Sequence, residues 1–182
     1  YIKVENPVAK FSMSDSFRTC PPLIIQFTSQ SVNGADEIWD FGDGSTTNTH
    51  NPSHFYSYPG VYTATLTVNG RGGCSSKMQK QIVVKGPKGS LSYTPLNFCK
   101  PGDAGFTTHT TDAVSYVWDF NDGATVINSD SVISHRYNNP GKYIPRLMLT
   151  DNQGCKVPVM GRDTINIVQL EPRFEFANNT VC

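Results

Sequence analysis

The most regular pattern in the chain runs from Tyr62 to Val68, where Tyr62, Ala64, Leu66 and Val68 alternate with Thr63, Thr65 and Thr67. Alternation with period two predicts a half-buried strand of about 23 Å with a threonine face outward. Shorter runs of the same kind surround it. Ala9 to Ser14 predicts an opening strand, and Leu23-Ile24-Ile25-Gln26-Phe27 predicts one with Leu23, Ile25 and Phe27 inward. Glu37 to Phe41 delivers Trp39 to the core, His54 to Tyr56 forms a short strand, and Lys77 to Val84 forms the last. Ser29 to Ala35 reads as a loop and Asn69 to Gly73 as a turn. In Ser57-Tyr58-Pro59-Gly60, proline and glycine suit the second and third positions of a type II turn.

The pattern then repeats. Trp39-Asp40-Phe41-Gly42-Asp43-Gly44 returns 79 positions later as Trp118-Asp119-Phe120-Asn121-Asp122-Gly123. Trp-x-Phe puts two large aromatics on one strand face, and the Asp-Gly after it reverses the chain, because glycine accepts positive φ and aspartate bonds nearby amides. Asn121 stands where the first copy has glycine, a mild change for a residue that tolerates left-handed φ. His54-Phe55-Tyr56 and Pro59-Gly60-Val61-Tyr62 recur as His135-Arg136-Tyr137 and Pro140-Gly141-Lys142-Tyr143. Phe106 takes the place of Phe27, but Gly102 and Ala104 replace Leu23 and Ile25, which predicts a weaker strand. Tyr143, Leu147 and Leu149 keep the inward face of the long strand, whereas Pro145 predicts a bulge or an unpaired edge. Ile144 and Met148 make its other face more apolar.

These motifs, in this order and twice over, resemble the polycystic-kidney-disease (PKD) domain. The resemblance implies an all-β chain of two tandem immunoglobulin-like (PKD-type) β-sandwiches, and the 182 residues accommodate two such domains. Expected boundaries are 7–86 and 87–171, with 1–6 the last strand of a preceding repeat and 172–182 the start of a following one. The motif residues Trp39, Asp40, Asp43, Gly44 and Tyr62, with Trp118, Asp119, Asp122, Gly123 and Tyr143, are expected to be structural. Gly86-Pro87-Lys88-Gly89 and Leu170-Glu171-Pro172 are short proline linkers, which predicts a semi-rigid rod.

Fifteen basic and 15 acidic side chains cancel, and no basic run occurs, so nucleic-acid binding has no electrostatic support. No apolar run approaches a membrane helix, and membrane insertion is not expected. Asp40 and Asp43 sit in one turn and are too close in sequence to flank a glycosidic bond; too few oxygen ligands surround them to predict calcium. The equivalent His54 and His135 read as structural, His50 and His109 as exposed. No nucleophile elbow, zinc motif or phosphate loop occurs. The expectation is no enzyme, no catalytic residue, no metal and no cofactor. Tyr58 and Tyr116 are the aromatics expected to be open to a sugar ring.

Five cysteines fall in register: Cys20, Cys99 and Cys182 share one place in the repeat, and Cys74 and Cys155 share another. In a small turn-rich β domain this suggests disulfides and an oxidising compartment. Counting pairs Cys20 with Cys74 and Cys99 with Cys155. The immunoglobulin-like order implied by the resemblance puts Cys20 and Cys74 at opposite ends of one sandwich, beyond disulfide reach. Cys20 with Cys155 is the alternative, leaving Cys74 for an earlier repeat and Cys99 for a later one.

The resemblance is nearest to PKD arrays in large surface adhesins of gliding, type IX-secreting bacteria. It implies a non-catalytic stalk or adhesion module of a secreted or cell-surface protein, extracellular and outer membrane-attached in the parent, serving adhesion or gliding motility. Expected partners are neighbouring repeats of the same chain and surface polysaccharide or another surface protein. The alternative is an accessory module of a secreted hydrolase, binding polysaccharide or protein.

Overall fold

A computed structural model describes residues 6–168. The expected strand at Tyr1 to Val4, the linker at Leu170 to Pro172, the segment 172–182 and Cys182 lie outside them. The chain divides into two compact units between Lys88 and Gly89, with Thr150–Val157 belonging to the first.

The first unit contains β1 (Phe11–Met13), β2 (Phe17–Arg18), β3 (Leu23–Ser29), β4 (Asp36–Asp40), β5 (Thr46–Thr47), β6 (Ser53–Tyr56), β7 (Gly60–Asn69) and β8 (Ser75–Val84). They form a three-stranded sheet, β1-β3-β6, and a five-stranded sheet, β2-β8-β7-β4-β5. All pairings are antiparallel except β2 with β8, which run parallel through Phe17 opposite Val83 and Arg18 opposite Val84. The chain thus starts against one sheet and crosses to the other. Leu23, Ile25 and Phe27 point inward from β3, and Trp39, Ala64, Leu66, Val68, Ile82 and Val84 point inward from the larger sheet. Phe11 and Phe27 hold Trp39 between them, ring centroids 5.0 and 5.3 Å away. The alternating strand is longer than its pattern: β7 pairs with β8 over all ten residues.

The remaining strands are β9 (Lys88–Thr94), β10 (Asn97–Phe98), β11 (Gly102–Thr111), β12 (Ser115–Asp119), β13 (Thr125–Asn128), β14 (Val132–Tyr137), β15 (Gly141–Tyr143), β16 (Arg146–Thr150), β17 (Lys156–Met160) and β18 (Ile165–Ile167), which make up the second unit apart from Lys88, Thr150 and Lys156–Val157, grouped with the first. One sheet is β14-β11-β9; where the first unit has a single five-stranded sheet, this one has two, β13-β12-β16-β17 and β10-β18-β15. The division falls at Pro145. The long strand stops at Tyr143 and resumes at Arg146, because proline has no N–H to give the ladder. Across the break, Gly161 N–H donates to the Pro145 carbonyl at 2.9 Å. Tyr93 closes the gap from β9: its hydroxyl donates to the Asp163 carbonyl and accepts the Asp163 N–H at 3.0 Å.

Two expectations need correcting. The strand carrying Gly102 and Ala104 is not weak: β11 runs for ten residues and pairs with β14 from Gly102 opposite Tyr137 to Thr107 opposite Val132. The Phe98 ring occupies the space that a side chain at Gly102 would take, so volume missing from one position is supplied from another. Nor does Pro59-Gly60 make a type II turn, which requires positive φ at the glycine; Gly60 is absent from the positive-φ residues and already lies in β7. Its small size serves Tyr62, whose ring lies over it: a Cβ on Gly60 would sit 2.7 Å from the ring. The Tyr62 hydroxyl reaches back to the Tyr58 carbonyl at 2.8 Å, and Tyr143 does the same to Asn139 at 2.9 Å. This is the tyrosine corner of immunoglobulin-like sandwiches.

Candidate functional site

The repeated Asp-rich turns are built alike. Gly42 and Gly44 have φ of +79° and +93°, and Asn121 and Gly123 have +63° and +94°. Asp40 accepts the Gly42 N–H at 2.9 Å and Asp43 accepts the Ser45 N–H at 3.0 Å; Asp119 and Asp122 repeat both bonds with Asn121 and Ala124. The second Asp43 oxygen meets His54 Nε2 at 2.7 Å, and Asp122 meets His135 Nε2 at the same distance. His54 stacks on Phe41 at 4.0 Å, and His135 on Phe120 at 3.8 Å. Beneath each histidine a buried tyrosine, Tyr56 or Tyr137, donates to the carbonyl of Phe41 or Phe120 at 2.9 or 3.0 Å. Burial first, then the neighbouring carboxylates, pushes both phenols far above their ordinary pKa, so they remain donors.

This His-Asp pair faces an aromatic floor rather than a nucleophile, and each carboxylate spends its oxygens on a turn amide and an imidazole. The arrangement fixes the turn to the neighbouring strand. Partial burial acts to raise the Asp43 pKa, but the His54 and Ser45 hydrogen bonds and the charge on a protonated His54 outweigh it and hold the carboxyl below its usual range. A depressed folded-state pKa contributes stability above the unfolded value of about 3.9 that is lost as pH falls through the folded one. The first unit is therefore expected to lose stability below about pH 4, and Asp43→Asn to flatten that loss in acid-unfolding curves. Parallel curves for the two proteins would refute the assignment.

One polar group distinguishes the units. Trp118 Nε1 donates to Asn128 Oδ1 at 2.9 Å, whereas the buried Trp39 Nε1 has no partner among the described residues. Trp118 lies opposite Val126 as Trp39 lies opposite Thr47, so Thr49 stands where Asn128 does. Thr49→Asn is expected to supply the missing acceptor and to stabilise the first unit by about 1 kcal/mol, read as a rise in its unfolding midpoint; an unchanged or lower midpoint counts against it.

The first unit also carries a polar groove of about 640 Å³, bordered by Asp36, Glu37, Ile38, His50 and the amides of Asn33, Asn48 and Asn69. Glu37 is its anchor, its side chain only 15% exposed, accepting from Ser29 Oγ at 2.6 Å and paired with His50 Nδ1 at 2.8 Å. Sequence reading picked His50 as exposed but gave no hint of Glu37, because the two stand 13 positions apart with β5 between them. Tyr116 is a correction: it is 6% exposed, its hydroxyl bonded to Thr110 at 2.9 Å, and offers no platform. Tyr58 is 55% exposed. Among the described residues no group of His, Cys, Asp and Glu side chains has metal-binding geometry.

Cys20 and Cys155 form a disulfide with Cα atoms 5.4 Å apart, within the first unit because Thr150–Val157 belongs to it. Among the described residues Cys74 and Cys99 have no disulfide partner, and both are exposed.

A model of the PKD domain matches residues 4–85 and 100–167. Collagenase ColA of Bacillus cereus is 44% identical over 75 residues, 38% of this chain and 8% of that protein, and collagenase ColQ1 of Bacillus cereus strain Q1 is 37% identical over 78 residues, 40% and 8%. The chain thus spans less than a tenth of the length of these curated relatives. Among solved structures, the PKD1 domain of the Vibrio cholerae metalloprotease PrtV is 30% identical, covering 45% of this chain and all of that one, with a TM-score of 0.39.

Proposed function

Because the chain belongs to the PKD domain family, whose members are non-catalytic modules, we propose that it is a stalk and adhesion segment of a large secreted or cell-surface protein. Its repeats are assigned to 7–86 and 87–171, flanked by 1–6 and 172–182 of neighbouring repeats, in a parent attached to the outer membrane and serving adhesion or gliding motility. The observation that carries this reading is the Cys20–Cys155 disulfide, a bond suited to an oxidising extracellular setting. The repeated carboxylates and histidines support it too, being spent on turns and packing. An apolar cross-strand pair, Ile24 and Phe55, is exposed at 63% and 49%, where the second unit has the Asp103–Arg136 ion pair; it offers an adhesive patch. Single-molecule pulling is expected to show resistance to unfolding, and unfolding at negligible force would sink the reading.

A second reading, an accessory module that holds protein or polysaccharide for a secreted hydrolase, is favoured by the likeness to collagenase segments together with the groove at Glu37. Titration of the chain with a soluble polysaccharide and with a collagen-like peptide, followed by backbone amide NMR, tests it. Shifts confined to the groove, with affinity reduced about tenfold or more by Glu37→Gln, support it; no shift with either ligand sinks it.

A further inference from the structure

The chain contains two Asn-Gly pairs, Asn33-Gly34 and Asn69-Gly70, and the asparagine of each borders the groove at Glu37. An asparagine before glycine is well placed to react with its own backbone. Glycine has no Cβ to shield its amide nitrogen, and its freedom of rotation lets that nitrogen reach the carbonyl carbon of the preceding side chain. The fold treats the two pairs differently. Asn69 is half-buried at the end of β7, opposite Ser75 of β8 and Asp36 of β4, and its carbonyl accepts the Ala35 N–H at 2.7 Å. The Gly70 N–H is committed to the Cys74 carbonyl at 2.8 Å. Asn33 and Gly34 are exposed and belong to no strand. Asn33 has φ of +61°, and the Gly34 N–H has no hydrogen-bond partner among the described residues. The Asn33 carboxamide donates from Nδ2 to the Asn6 carbonyl at 3.3 Å, a contact that engages the nitrogen and leaves the carbon open. Packing requires the glycine here, since a Cβ on Gly34 would lie 2.5 Å from Val68 Cγ1.

We propose that Asn33 is a site of self-modification, where the Gly34 amide nitrogen turns the side-chain amide into a carboxylate while the fold preserves Asn69. The Gly34 nitrogen loses its proton and bonds to Asn33 Cγ. The Cγ–Nδ2 bond breaks, ammonia leaves, and a succinimide ring closes. Water then opens the ring at one carbonyl or the other, giving aspartate or isoaspartate at position 33. No oxidant, reductant or enzyme enters the balance. Either product sets a new carboxylate beside Asp36 and Glu37, in a groove whose lining includes no lysine or arginine to offset it. The groove therefore becomes more acidic as the molecule ages. This goes beyond both functional readings and depends on neither.

The test stores the native chain at mildly alkaline pH and follows both sites by site-resolved peptide mapping in a mass spectrometer, beside the same chain unfolded in guanidinium chloride. In the folded chain Asn33 is expected to gain the mass of an amide becoming an acid at least about tenfold faster than Asn69, a protection of Asn69 by about 1.4 kcal/mol. Unfolding is expected to bring the two rates together, because the difference lies in the fold and not in the dipeptide. Two product forms are expected at position 33, one matching the peptide of an Asn33→Asp chain and the other isoaspartyl. Storage at mildly acidic pH is expected to slow the conversion, since the Gly34 amide must give up its proton. Equal conversion of both sites in the folded chain, faster conversion at Asn69, no conversion at Asn33, or aspartate as the sole product would each overturn the proposal.

Discussion

Stretched from its two ends, the oxidised chain is expected to lengthen only outside Cys20 and Cys155, and reduction to release about 450–490 Å more. The disulfide spans a sequence separation of 135, and an extended chain gains about 3.3–3.6 Å per residue. Force can unfold strands inside the loop but cannot pull its ends apart while the bond stands. The double variant Cys20→Ser, Cys155→Ser is expected to give the long extension without reductant. Equal lengths in oxidised and reduced chains would disprove the pairing, and two shorter releases would indicate Cys20 with Cys74 and Cys99 with Cys155 instead.

Gly42→Ala is expected to destabilise the first unit by roughly 3–4 kcal/mol, against about 1–2 kcal/mol for Gly44→Ala two residues away. Both glycines have positive φ, +79° and +93°, so both substitutions carry the left-handed cost of a side chain. They differ in space. A Cβ on Gly42 would lie 2.6 Å from the Thr63 backbone nitrogen in β7, whereas one on Gly44 has nothing within 4 Å. The Thr63 backbone belongs to a ten-residue ladder and yields only by disturbing it. Denaturant unfolding of the two variants checks the contrast, and equal losses would show that conformation alone decides.

Much of the fold was legible because its signals are local. Alternation in Tyr62 to Val68 and Leu23 to Phe27 fixes which side chains face inward, and an Asp-Gly after Trp-x-Phe needs no distant partner to reverse the chain. Pro145 announces a break because a missing N–H is a property of the residue itself. What escaped depends on contacts between segments far apart. Tyr93 was an ordinary strand residue until Asp163 came to it over 70 positions. Gly102 read as a weak position because the Phe98 ring that replaces its side chain comes from a different strand. Tyr116 read as an exposed aromatic, since nothing in the sequence states that its hydroxyl would meet Thr110 and its ring the core. The same holds for the groove, where Glu37 and His50 have no shared motif. The cysteines lie between these cases: their register is plain in the sequence, but counting alone allows two pairings and only the placement of Cys155 beside Cys20 separates them.

The covalent loop from Cys20 to Cys155 also changes what a protease can accomplish. The turn at Gly42 to Thr46 is exposed and offers an accessible cut point well inside the loop. A cut there breaks the polypeptide, yet both products stay attached through sulfur. Damage of this kind is silent, neither shedding a fragment nor severing the molecule, until a reductant reaches the bond.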